Sequence, residues 1–409
     1  MALVVQKYGG TSVGSVERIR NVARRVVATK RAGNQVIVVV SAMAGETDRL
    51  IGLANEIDPR HSRREHDMLV ASGEQVSISL LAMAIAAEGE KALSLLGPQV
   101  EIRTDSAHAR ARIVEIGGRR VRQALDEGNI VVVAGFQGAN EKGDITTLGR
   151  GGSDTSAVAV AAALKADVCE IYTDVDGIYT TDPNICSRAR KLERISYEEM
   201  LELASLGAKV LQIRSVEFAK KYGIPLHVRS SFSDSLGTVV CSEEECMEEA
   251  IVSGVAYSKN DAKLTICGIP DRPGIAASLF STIADQGIVV DMIIQDISDE
   301  GLTDLTFTVP KIDYEQAFEA LEKFKQEIGA SRIDGNRSIA KISIVGIGMR
   351  THANVASRMF QALARENINI MMISTSEIKV SCVIEEKYTE LAVRVLHDEF
   401  GLAGEGTSE

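Results

Sequence analysis

Val36–Val40 is an unbroken run of β-branched residues, the pattern of a strand covered on both faces. Residues 2–6, 100–103, 130–134 and 169–173 read as further strands. Between them apolar positions recur at helical spacing over about 16–30, 47–56, 62–88, 117–127 and 152–165. Helices are also expected at 196–205 and 212–222, then short strands at 225–229 and 238–240. Alternating β and α elements predict an α/β fold, a mostly parallel open sheet sandwiched by helices.

The character changes after Cys241, where Ser242–Glu249 is acidic and linker-like. An internal repeat follows. A shift of 80 residues aligns Gly268 with Gly348, Ala276 with Ala356, Phe280 with Phe360 and Ala284 with Ala364. Ile288, Met292 and Ile293 then fall on Ile368, Met372 and Ile373. Each copy reads strand (264–269; 342–347), helix (274–286; 354–366), strand (288–294; 368–373), strand (303–309; 378–384) and helix (313–328; 387–399). These are two small α+β modules of one plan.

A length of 409 residues calls for two or three domains. Tryptophan is absent and aromatics are 4%, so the core must be aliphatic and alanine-rich. The net charge of −12 argues against nucleic acid or an anionic membrane as partners, and an anionic substrate must meet local positive groups. The basic run Arg18, Arg20, Arg24, Arg25, Lys30 and Arg31 lies on one predicted helix and reads as a solvated face. Six cysteines form no C-x-x-C pair, which suits reduced thiols and no zinc site. The N-terminus lacks the basic region of a signal peptide, so a soluble, cytoplasmic protein is expected.

Two glycine turns carry the chemistry. Lys7-Tyr8-Gly9-Gly10-Thr11-Ser12 follows the first strand, and Gly149-Arg150-Gly151-Gly152-Ser153-Asp154-Thr155 precedes an alanine-rich helix. Unpaired backbone N–H groups and the helix dipole favour anions at such points. A lysine beside two glycines suits phosphate, while an arginine suits the bidentate grasp of a carboxylate. No G-x-x-x-x-G-K-[ST] loop exists. An ordinary helix cap explains Ser153 or Asp154 but not an arginine among three glycines. Ser41-Ala42-Met43 and Thr47 offer hydroxyls after the second strand, and Ser72-Gly73-Glu74 places a carboxylate in a helical stretch. On spacing alone, Glu74 fits a surface or capping residue, and Thr173–Pro183 fits a surface turn as well as a nucleotide contact. Lys209, in Gly207-Ala208-Lys209-Val210, has no distinguishing signal of its own.

Taken in order, Lys7–Ser12, Val40–Met43, Ser72–Glu74, Gly149–Thr155, Thr173–Pro183 and Gly207–Val210 closely resemble the aspartate kinases of the amino-acid-kinase family. The two repeats resemble paired ferredoxin-like ACT regulatory domains, with Asp271-Arg272-Pro273-Gly274 and Gly346-Ile347-Gly348-Met349-Arg350 as their signatures. The resemblance implies transfer of the ATP γ-phosphoryl group to the β-carboxylate of L-aspartate, a first step towards lysine, threonine and methionine. It implies that Lys7, Asp154 and Lys209 are catalytic. Tyr8, Gly9, Gly10, Thr173, Asp174, Tyr179, Asp182 and Val210 would join the two lysines around ATP. Ser41, Thr47, Glu74, Arg150, Gly151, Gly152 and Ser153 would hold aspartate. Mg²⁺ would arrive with the nucleotide, with no dedicated protein cage.

The same resemblance places an amino-acid effector, lysine, threonine or both, at Asp271, Gly274, Ile275, Ala276 and Gln295, with Asn369 and Ile370 from the second repeat. Thr351-His352-Ala353-Asn354 replaces the first repeat's Asp-Arg-Pro-Gly turn, and Asn tolerates a left-handed conformation. The expected division is a catalytic domain over 1–245 and ACT domains over 263–337 and 338–409. A strand from 250–262 would complete the second ACT domain. Pairing of ACT domains implies a homo-oligomer, and Met247 opens a segment resembling a separate regulatory chain.

Overall fold

The computed structural model describes residues 1–206, 210–246, 251–297, 301–352 and 354–403, and they form two units. The first comprises the described residues of 1–178, 191–205 and 210–246. Its chain runs β1 (Leu3–Tyr8), α1 (Val16–Arg31), β2 (Gln35–Val40), α2 (Glu46–Ile57), α3 (Arg63–Val70), α4 (Ser72–Ala87) and β3 (Ala92–Leu95). There follow β4 (Ile102–Thr104), β5 (Ile113–Ile116), α5 (Arg119–Asp126), β6 (Ile130–Ala134), β7 (Gln137–Ala139), β8 (Ile145–Thr147), α6 (Gly152–Leu164) and β9 (Val168–Thr173). The last elements are β10 (Arg194–Ser196), α7 (Tyr197–Ser205), α8 (Ile213–Tyr222), β11 (Leu226–Ser230) and β12 (Thr238–Cys241).

Eight strands form one sheet in the order β10-β12-β11-β9-β1-β2-β6-β3, parallel at every pairing except β11 with β12. Strands β5-β4-β7-β8 make a smaller sheet. On one face of the large sheet, Tyr8, Val36, Val38, Val40, Ile130 and Val132 pack against the apolar stripes of α1 and α4. Strand alternation turns Val5 and Lys7 to the other face, where α6 lies against β1, β2 and β9. Helix α6 is buried along nearly its whole length, which its small Ala, Ser, Thr and Val side chains permit. Tyr8 pairs with both Val40 and Tyr172, and Val40 with Ala134. The strands' carboxyl ends are therefore level, and the turns that leave them share one edge, the usual ligand edge of an open α/β sheet.

The expected helix over 62–88 is two helices meeting at Ala71. The run Arg63–Ala87 is long and apolar enough to cross a membrane, yet it packs Ile78, Leu81 and Ile85 into this core. In the basic run on α1, Arg18, Arg20, Arg24 and Arg31 are exposed as expected, while Arg25 and Lys30 are half-buried. Lys30 and Arg31 pair with Glu90, Arg18 donates to the Thr11 carbonyl and Arg25 to that of Ser230.

The second unit holds β13 (Gly254–Ser258), β14 (Asp261–Pro270), α9 (Ile275–Asp285), β15 (Ile293–Ile297), β16 (Leu302–Pro310), α10 (Tyr314–Ile328) and β17 (Arg332–Asn336). It continues with β18 (Ile339–Val345), α11 (Val355–Arg365), β19 (Met372–Thr375), β20 (Lys379–Glu385) and α12 (Thr389–Glu399). Two antiparallel sheets result, β15-β16-β14-β17 and β13-β18-β20-β19, each with its own helix pair and core. Strand β13 precedes the first module in sequence but pairs with β18 of the second. Met292, Ile339, Met372 and Val383 join the modules, and Lys341 pairs with Asp261 and Asp291.

Residues 179–190 also pack in this second unit. The Thr180 carbonyl accepts from Val255 N–H at 2.7 Å, and its hydroxyl lies 3.0 Å from His397 Nε2. Arg188 binds Asp398, and the Tyr257 hydroxyl donates to Asp182 at 3.1 Å.

Candidate active site

Lys7 ends β1 on the α6 face. Its Nζ lies 2.6 Å from Asp154 Oδ1 in the first turn of α6, and both side chains are nearly buried. This ion pair joins the two glycine turns singled out in the sequence. Gly10 is obligatory by close approach: a Cβ there would stand 2.9 Å from the Ala42 carbonyl oxygen. Tyr8 turns its ring away from this edge into the core and stacks on Tyr172 at 4.6 Å between ring centroids. Burial raises the pKa of both phenols, Tyr172 to about 12. Tyr8 thus supports the turn from below, and its carbonyl accepts from Ser41 N–H.

The amide of Ala42 donates to Glu74 Oε1 at 3.1 Å. Glu74 is 2% exposed, and its Oε2 is buried with no hydrogen-bond partner. Burial pushes its pKa up to about 7, against the opposing pull of the Ala42 amide. A buried carboxylate with one oxygen free is costly alone and well suited to a cation. Gly73 packs against Ala42 and Glu46, which brings half-buried Thr47, in the first turn of α2, to the same corner.

Arg150 is exposed between Gly149 and Gly151, both at positive φ (78° and 72°). Gly151 is needed twice over, because a Cβ there would also fall 1.8 Å from the Gln212 side chain. Ser153 is buried against Gly135 at the end of β6. Gly152, Ser153 and Asp154 form the first turn of α6, so this arginine stands at the positive end of a helix dipole.

Thr173 and Asp174 leave β9 beside the first turn, and Gly9 N–H donates to the Tyr172 carbonyl. Tyr179 and Asp182, further along the same loop, belong to the packing of the second unit. Val210 is half-buried, and Lys209 lies outside the described residues, as does Met247. Ser231 was not foreseen. Its Oγ is 2.6 Å from that of Ser12 and its N–H donates to the Thr173 carbonyl. The hydroxyl-rich Ser230-Ser231-Phe232-Ser233 directly after an apolar strand was the available signal.

In the second unit, Gly274 caps α9 at φ 97°, Ile275 is buried and Ala276 half-buried. Asp271 is exposed and its N–H donates to the Gly301 carbonyl just before β16. Gln295 is exposed on the edge strand β15. The second repeat does not copy this turn: Asn354 stands at φ −93°, after a 3-10 turn over Ile347–Thr351. Asn369 is exposed, while Ile370 packs on the core of its own module.

Residues 2–230 match the family model described as the amino acid kinase family, and 263–329 and 342–400 match ACT domain models. An aspartate kinase of Stutzerimonas stutzeri is 58% identical over 403 residues, 98% of each chain. The solved structure of E. coli aspartokinase III in complex with aspartate and ADP (R-state) gives a TM-score of 0.80 at 26% identity, covering 98% of this chain and 100% of that one. The same protein in complex with lysine and aspartate (T-state) gives 0.77 at 27% identity, covering 97% and 99%.

Proposed function

The chain belongs to the aspartate kinases of the amino acid kinase family, with two ACT domains, and on that premise we propose that it phosphorylates the β-carboxylate of L-aspartate from ATP, giving 4-phospho-L-aspartate. The observation that carries this reading is the Lys7–Asp154 pair, which unites a phosphate-type turn and a carboxylate-type turn at one sheet edge.

A carboxylate nucleophile is already ionised at neutral pH and needs no general base. The barrier is the approach of an anion to a polyanion, so catalysis rests on positioning and charge neutralisation. Lys7 stabilises the transferring phosphoryl group, Asp154 orients the lysine, and the amide of Gly10 takes a phosphate oxygen, while Gly9, whose N–H is directed at the Tyr172 carbonyl, keeps the turn close to the sheet. Lys209 neutralises the nucleotide phosphates, with Thr173, Asp174 and Val210 lining its site. Arg150 clamps a carboxylate of aspartate with Gly151, Gly152 and Ser153. The free oxygen of Glu74 takes the substrate ammonium, with Ser41 and Thr47 beside it. Asp154 would help hold an Mg²⁺ ion arriving with the nucleotide, and such an ion would supply charge neutralisation on the phosphates.

The catalytic domain is read over 1–245 apart from the 179–190 excursion, and the ACT domains over about 261–337 and 338–403, with β13 (Gly254–Ser258) completing the second. Lysine or threonine bound near Asp271, Gly274 and Gln295 feeds back on the pathway to lysine, threonine and methionine. The missing left-handed cap at Asn354 argues against an equivalent second effector turn. Exposed Ile293 and Ile373 on the edge strands favour homo-oligomer assembly through these domains. A panel of acceptors tests the reading: ATP turnover with aspartate, and not with glutamate, acetylglutamate or UMP, supports it. Turnover with one of the others alone refutes it.

A further inference from the structure

We propose that Asp67 and Arg214 are positioning residues that fix the backbone carrying Arg150. The proposal rests on the reading of Arg150 as the aspartate clamp.

Asp67, on α3, is 0% exposed. Its two oxygens accept from Thr147 Oγ1 at 2.6 Å, Thr147 N–H at 3.1 Å and Ala109 N–H at 3.0 Å, and Oδ2 lies 2.8 Å from His108 Nδ1. Arg214, on α8, donates to the Leu148 carbonyl at 2.8 Å and the Ala111 carbonyl at 3.2 Å. The anion thus holds the N–H groups of two adjacent strands of chain, and the cation holds the carbonyls one or two residues on. Ala111 N–H donates to the Thr147 carbonyl and closes the same ply.

This ply ends directly in Gly149-Arg150. A Cβ at Gly149 would stand 3.1 Å from the Ala109 carbonyl oxygen, so the arginine's backbone leans on a residue that Asp67 pins. Ala109 itself has φ 68°, a left-handed conformation that costs a non-glycine residue stability and persists only where its surroundings impose it. On the far side, the Gln212 side chain walls in Gly151. Charge-assisted hydrogen bonds from two separate helices are a stiffer mount than a surface loop supplies by itself.

The test is steady-state kinetics of the full chain carrying Asp67→Asn, Arg214→Met, Arg214→Lys, Thr147→Val or Arg150→Ala, varying aspartate and ATP separately. Misplacing the clamp should lower kcat/KM for aspartate roughly 10- to 100-fold in Asp67→Asn and Arg214→Met. KM for ATP should stay near its original value, and Arg214→Lys should recover part of the loss. General loosening of the fold would instead lower the active fraction or move both substrates together. Should Asp67→Asn fail to fold, Thr147→Val, which deletes one hydrogen bond at nearly constant shape, and the Arg214 pair carry the test. Unchanged aspartate kinetics in folded variants, while Arg150→Ala impairs aspartate, would overturn the positioning role alone. Unchanged aspartate kinetics in Arg150→Ala would overturn the clamp reading and this proposal with it.

Discussion

In the proposed reaction Lys7 serves the phosphoryl group and Glu74 the substrate ammonium, and their environments predict different phenotypes. Lys7 pairs with Asp154, and the proposed role becomes strongest as charge builds on the phosphoryl oxygens. Lys7→Ala should therefore lower kcat about 10²–10³-fold with a small change in KM for ATP, and steady-state kinetics with unaltered kcat would remove the role. Glu74 has a pKa raised to about 7 by burial, and must be ionised to hold an ammonium. The pH profile of kcat/KM for aspartate should rise through an apparent pKa near 7, and this limb should vanish in Glu74→Gln. Linkage has the opposite sign: the folded free enzyme binds this proton more tightly than the unfolded chain. Its stability should then fall, relative to Glu74→Gln, between about pH 4.5 and 7. The sequence exposed Lys7 and Arg150 because glycines flank them. Glu74 became distinctive only once its burial and its free oxygen were visible, and Asp67 gave no local signal, since its partners lie 41, 42 and 80 positions away.

At the scale of elements, the long periodic helices and the covered strands were legible because burial on both faces writes itself into composition. Helix α1 and strand β2 end within a residue or two of their expected bounds. Connectors were not. The apolar 288–294 reads as a strand, yet pairing starts at Ile293, because Ile288 is buried as a linker beneath the helices of its module. The short β7 and β8, which carry Thr147 and lead to Arg150, have too few residues to show a period. Helix α4, with α1, covers the core on the face opposite Lys7. Leu81, 0% exposed, sits in its middle, so Leu81→Ala should cost about 2–5 kcal/mol in chemical denaturation of the N-terminal unit. A loss under about 1 kcal/mol would mean that the sheet tolerates the cavity, contrary to this packing.

For the whole molecule, an internal repeat was enough to separate a catalytic half from a paired regulatory half. The excursion of 179–190 into the second unit was invisible, because its hydrogen bonds to Val255, Tyr257 and His397 are all distant in sequence. Regulation through the second unit requires an effector that distinguishes two global states. Gln295→Ala, at an exposed edge-strand position, should weaken inhibition by lysine or threonine and leave basal turnover near normal. Dose–response curves that superimpose with those of the unmodified chain would move the effector site elsewhere. Above all these stands the reaction itself. The most direct measurement is initial-rate trapping of the acyl phosphate as its hydroxamate, with ATP, Mg²⁺ and L-aspartate. The account predicts aspartate β-hydroxamate formed in step with ADP, at a rate that depends on aspartate. ATP-binding, folded protein that yields no hydroxamate from aspartate would contradict it.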